Sequence, residues 1–209
     1  MSQLSKPEAS GVIAATAMFV EVLVIGIGSL AGVVGCVSAA AGYSNMQKFA
    51  PVLASAPASG AALAFAYALG IAVDRAADYL LASPRRRLRS RYFLSDAAYD
   101  QARRAITDYP HLVAMADYAR SRMRVCRGWF LNSALLSIAS ALLIWRFPVQ
   151  DRMILLSMCA VVGVLCASGF YAAWRSITAT GYRKLAQQTS QNTANVPNQG
   201  ASDVTAGSA

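Results

Sequence analysis

The chain has 209 residues, 56% of them apolar and only 14% charged, against roughly 45–50% and about 25% in an ordinary soluble domain. The 19 lysines and arginines outnumber the 10 aspartates and glutamates, for a net charge of +9. Most of this excess lies in one segment between long apolar runs, so attraction to an anionic lipid surface explains it better than nucleic acid, and a water-soluble domain is excluded.

Four stretches are long enough to cross about 30 Å of hydrocarbon at ~1.5 Å per residue: 11–37, 60–82, 129–147 and 153–174. The first and last are nearly uniform in Ala, Val, Ile, Leu and Gly. The second and third carry Tyr67, Tyr79, Trp129 and Trp145 near their ends, where amphipathic rings favour the headgroup layer. Each is expected to be a helix, because backbone amides in lipid must bond internally.

The run from Gly11 exceeds the apolar region of a signal peptide and is interrupted by Glu21, which favours a retained anchor. Within it Val33-Val34-Gly35-Cys36 resembles the lipobox of bacterial lipoproteins. Acylation of Cys36 is the reading that resemblance implies; small residues ahead of a cysteine in a tightly packed membrane helix are the other.

The first outer connection, 43–59, holds Pro51 and Pro57 among apolar residues and reads as a short interfacial segment. The segment 84–128 carries eleven arginines (85, 86, 87, 89, 91, 103, 104, 120, 122, 124 and 127) against four aspartates (96, 100, 108 and 117), an excess of seven positive charges. By the positive-inside rule it is cytoplasmic, which places both termini inside as well. Lys6 before the first span, and Arg175, Arg183 and Lys184 after the last, agree with that threading.

The run Arg85, Arg86, Arg87, Arg89 and Arg91 would lie at the lipid headgroups. Ser95 then offers an N-cap, with Asp96 in the first turn of a short helix over 97–106, and Pro110 breaks the pattern. From Leu112 the apolar positions Leu112, Met115, Ala116, Ala119 and Met123 recur at helical spacing, and no Gly or Pro intervenes before Gly128. One rod over 112–147 is therefore expected, with the short helix folded back against it. Arg120, Arg124 and Arg127 on its other faces suit contact with a cytoplasmic protein or acidic lipid. The second outer turn, 148–152, is too short to hold a site. After Lys184 the chain is almost devoid of large apolar residues and reads as disordered.

Ionisable groups inside the spans are costly, at ~2.5–3.5 kcal/mol each near the bilayer centre. Glu21 reads as near the middle of the first span, and Asp74, Arg75 and Asp78 lie within the second. Counted from the cytoplasmic ends, Glu21 and Arg75 reach matching depths, which predicts that the first two spans are antiparallel neighbours with these two side chains paired. Asp74 and Asp78 share a face at i and i+4. The cluster is either a polar clasp that fixes helix register or an ion or proton path. Gly28 and Gly32 form a GxxxG step, and Gly163 sits between Cys159 and Ala167 at spacing four. Such residues let helix backbones approach closely, within one bundle or, as the alternative, between copies of the chain.

Several enzyme classes lack their residues. Cys36, Cys126, Cys159 and Cys166 contain no CxxC pair, and the single His111 has no companions for a zinc set or a bis-histidine haem. No G-x-S-x-G elbow, P-loop or dinucleotide fingerprint is present. Asp74-Arg75-Ala76-Ala77-Asp78 is superficially similar to the acidic motif of membrane phosphotransferases, but the repeated Asp and Gly positions are missing.

The expected fold is all-α. It is a four-span protein of a bacterial-type inner membrane, with a cytoplasmic N-terminus (1–10), a first helix pair (11–83), a basic helical hairpin extending spans two and three (84–128), a second helix pair (129–174) and a cytoplasmic tail (175–209). No cofactor, metal or catalytic set is expected. The functional expectation is an interaction or scaffold component, and the alternative is a small oligomeric channel or transporter built on Glu21, Asp74 and Arg75.

Overall fold

The computed structural model describes residues 6–42, 45, 48, 51, 55–107 and 109–194. Among them every regular element is a helix: α1 (Lys6–Ala41), α2 (Ala56–Leu80), α3 (Ala82–Arg89), α4 (Asp96–Ala105), α5 (Pro110–Arg146) and α6 (Arg152–Ala194). Four of these, α1, α2, α5 and α6, are long and apolar enough to cross a membrane. The outer connection over 43–59 lies largely outside the described residues, as do Asp108 and the tail from 195 onward.

Local chemistry sets the helix ends. α1 stops at Gly42, whose φ of +82° suits a residue without a Cβ and whose N–H returns to Ser38 O at 3.0 Å. α2 begins at the Ser55 N-cap, with a proline in its first turn, so it starts ahead of the expected 60. α4 is capped by the Ser95 hydroxyl, which accepts from Ala98 N–H at 3.1 Å. Pro110 opens α5 rather than merely ending what precedes it, because its missing N–H costs nothing at a first helical position. Asp151, at φ +57°, makes the tight turn into α6, and Arg152 lies over the Trp145 ring at 5.4 Å.

α5 is the central helix. It packs along α1 and α6 and touches α2, whereas α6 touches none of the other long helices. α1 and α5 run parallel: Ile25 meets Gly128, Gly32 meets Leu135 and Gly35 meets Ala139. α6 runs antiparallel to α5, with Trp129 stacked on Phe170 at 6.0 Å and Met123 beside Thr178. α1 crosses α2 where Gly26 faces Ala66 and Gly70 faces Val22; a Cβ on Gly26 would lie 1.8 Å from Ala66 O, so these backbones are in contact. The outer face of α6, including Met153, Met158, Val162 and Leu165, is exposed along its whole apolar length.

Two expectations change here. α6 does not end at 174 but stays helical to Ala194, so the segment after Lys184 is ordered for a further ten residues. α4 does not fold back on α5: it packs on this extension of α6, where Tyr92, Phe93 and Tyr99 gather around Tyr182 at 5.8–6.4 Å and Arg89 caps the Tyr99 ring. The physical reason is the added length of α6, which supplies an aromatic anchor. The two rods that run on beyond the apolar layer are therefore α5 and α6, while α2 bends at Leu81 into the short α3.

Candidate functional site: an acidic and arginine cluster beneath the apolar layer

Glu21 on α1 and Asp74 and Asp78 on α2 come together as the sequence implied, but their partner is not Arg75. One residue along a helix is a rotation of about 100°; Asp74 faces the bundle with its side chain 5% exposed, while Arg75 is exposed and makes no ion pair among the described residues. The cations come instead from α5. Arg124 Nη1 donates to Glu21 Oε2 at 3.3 Å, and Ser121 Oγ donates to Glu21 Oε1. Arg127 donates to Asp74 Oδ1 through Nε (3.0 Å) and Nη2 (2.8 Å), and to Asp78 Oδ1 through Nη1 (2.6 Å). Arg85, from α3, closes the outer side on Asp78 at 2.6 Å. Arg124 Nε also lies 3.9 Å from Asp74 Oδ2, a charge contact without a hydrogen bond.

The assembly is three carboxylates and three guanidinium groups, formally neutral, and no buried side-chain polar atom among the described residues lacks a partner. Its residues are laid out for this by helical spacing: Ser121, Arg124 and Arg127 recur every three residues on the α5 face that meets α1 and α2. The parallel register of α1 with α5 also moves Glu21 from the middle of its span. Above the cluster each of the four long helices contributes about 18–22 residues, the length that about 30 Å of hydrocarbon needs. Glu21 lies six residues inside the apolar stretch Ala15–Ala41 of α1, level with Arg124 of α5.

One turn higher lies a second polar contact that the sequence reading missed. Asn132, fully buried, donates through Nδ2 to Ile25 O at 2.7 Å, and the Ser29 hydroxyl lies 2.7 Å from Asn132 Oδ1. A lone asparagine in an apolar run was the available signal. Gly28 and Gly32 face α5 at Asn132 and Leu135, and Gly163 faces Ser137. Beyond Asn132 the α1–α5 contact continues where Gly32 meets Leu135 and Gly35 meets Ala139.

The remaining arginines of 84–128 divide into two sets. Arg89 pairs with Asp96 at 2.7 Å and Arg120 with Asp117 at 2.5 Å. Arg86, Arg87, Arg91, Arg103, Arg104 and Arg122 are exposed and have no carboxylate partner among the described residues. Arg86, Arg87 and Arg89 line a shallow hollow of about 350 Å³ with Phe93 and Leu94. Neither a protein-family model, nor a curated protein, nor a solved structure matches the chain.

Proposed function

We propose that this chain is a non-catalytic, multi-pass component of the cytoplasmic membrane with both termini inside. In this reading it presents the 84–128 segment and the projecting parts of α5 and α6 to a cytoplasmic protein. The observation that carries the reading is the split among the arginines of 84–128: those near the acids are consumed in a neutral cluster, and six exposed ones are left without a carboxylate partner among the described residues. Unmatched surface cations beside a membrane attract acidic headgroups and steer acidic proteins. Arg86, Arg87 and Arg91 would meet the lipid, and Arg75 would extend its exposed side chain to the same headgroup layer. Arg103, Arg104 and Arg122 would face the partner.

The channel alternative loses support from the same geometry. An ion path needs groups that exchange partners or bind water along a continuous route, whereas each carboxylate here is already matched by a guanidinium, and above Asn132 Gly32 and Gly35 meet the apolar Leu135 and Ala139.

Activity-reporter fusions at residue 100, at 150 and after 190 test the threading; the expected pattern is inside, outside, inside. Pull-down of the detergent-solubilised protein then tests the docking. A stoichiometric soluble partner lost on Arg103→Glu with Arg104→Glu supports it. Ion flux in liposomes without any partner would replace it with the transport reading.

A further inference from the structure

Between α4, α5 and α6, below the apolar layer, lies a cavity of about 600 Å³. Its floor is apolar, built from Leu112, Met115 and Met123 of α5 with Ile177 and Leu185 of α6. Its rim carries Arg103, Arg120, which pairs with Asp117, and Lys184, ten residues beyond Trp174 along α6; among the described residues no aspartate or glutamate lines it. Arg103 and Lys184 have no ion pair among the described residues, and Met115 is 56% exposed.

We infer that this cavity is the docking groove for an amphipathic helix of a partner protein, with apolar anchors on one face and acidic residues flanking them. The inference rests on the scaffold reading above and deepens it by naming the site and the chemistry of the partner. Three features of the groove fix the occupant. From Leu112 to Arg127 the lining extends along α5 for about 22 Å at ~1.5 Å per residue, the length of a helix of about 15 residues. A dry apolar cavity of roughly 150 Å³ holds one benzene-sized group, so about 600 Å³ takes about four. Four is what such a helix offers from positions i, i+4, i+7 and i+11. The methionines supply a deformable floor for such anchors, and Arg103 and Lys184, without an ion pair among the described residues, select acidic flanks. A bilayer phospholipid fits less well, because Lys184 lies ten residues beyond Trp174 along α6, about 15 Å at ~1.5 Å per residue, away from a headgroup held at the apolar edge.

The test uses the full chain in nanodiscs of neutral phosphatidylcholine, titrated with a labelled 15-residue model peptide carrying Leu at i, i+4, i+7 and i+11 and Glu or Ala elsewhere. Saturable binding is expected, at least tenfold tighter than for a peptide of identical composition with scrambled leucines. Met115→Gln and the pair Arg103→Gln with Lys184→Gln should each weaken it at least fivefold; all three positions are exposed, and circular dichroism confirms that the variants stay helical. Equal binding of the scrambled peptide, or indifference to these variants, overturns the inference. So does retention of phosphatidylglycerol through Arg103 and Lys184 with no peptide binding, which would assign the groove to lipid. Photo-crosslinkers placed in cells at 115 and at 122 separate the two levels of the argument. A protein captured at 122 but not at 115 sinks the groove and leaves the scaffold reading standing; capture at neither sinks both.

Discussion

Replacing Arg127 by methionine would remove three charge-assisted hydrogen bonds while keeping much of the side-chain volume. Asp74, 5% exposed, would be left with Arg124 at 3.9 Å as its nearest cation. Asp78, one-third exposed, would retain Arg85 at 2.6 Å and water. Breaking a buried pair by deleting one member typically costs 3–5 kcal/mol, because the other charge is stranded, whereas an exposed pair is worth about 0–1 kcal/mol. With Arg124 still nearby, the low end applies. The expected destabilisation is about 3 kcal/mol, roughly a 140-fold change in the folded-to-unfolded ratio. Combining Arg127→Met with Asp74→Asn removes the stranded charge and should bring the total back to about 1 kcal/mol, a coupling of about 2 kcal/mol plus whatever Asp74→Asn costs alone. Denaturing-detergent titration followed by tryptophan fluorescence reads both. The clasp argument fails if Arg127→Met costs under about 1 kcal/mol, or if the double variant costs the sum of the singles.

The other expectations use the same titration. Gly26→Ala and Gly70→Ala drive a Cβ to 1.8 Å and 2.1 Å from backbone oxygens of the facing helix, so each should destabilise by about 1–3 kcal/mol despite alanine's better helix propensity. Gly169→Ala, with nothing within 4 Å of its new Cβ, should be neutral or stabilising by up to ~1 kcal/mol; a loss there would show that α6 has a neighbour on that face. Asn132→Leu gives up two buried hydrogen bonds at similar volume and should cost about 1–2 kcal/mol, while Asn132→Asp, burying a charge at a fully covered site, should cost more. Ser121→Ala leaves Glu21 on Arg124 and should cost about 1 kcal/mol; a null result would mean that the hydroxyl does not support the carboxylate.

The four long helices were legible because runs of about 20 apolar residues have few other solutions, and Ser95 announced a helix start through its capping hydroxyl. The length of α6 was not. Residues 175–194 are polar on average, and the contact face Trp174, Thr178, Tyr182 and Leu185 is too thinly apolar to register as a stripe; what holds it is packing on α5 and α4, which sequence spacing does not reveal. The acids of the cluster were visible as charges within apolar runs. Their partners were not, because Asp74 and Arg75 are adjacent and only the bundle decides which faces inward. Arg124 and Arg127 looked like a solvent-facing belt until the parallel register of α1 and α5 brought them level with Glu21.

That register is what the polar contacts specify. Between helices in lipid there is no hydrophobic drive to favour one alignment, and the small and branched residues along α1 and α5 would pack nearly as well if displaced by one turn, about 5.4 Å. Such a slip would carry Ser121 and Arg124 away from Glu21 and move Asn132 off Ile25 O and Ser29, stranding a charge and a buried amide at once. Two independent polar contacts on the same pair of helices therefore exclude neighbouring registers more sharply than either does alone. Because α5 is also one wall of the groove, fixing its height against α1 and α2 fixes where Met115 and Met123 stand relative to the α6 residues opposite. Loosening the clasp should also disturb the groove directly, because Arg85, Arg124 and Arg127 line the groove as well as holding the acids, so Arg127→Met should weaken peptide binding along with stability.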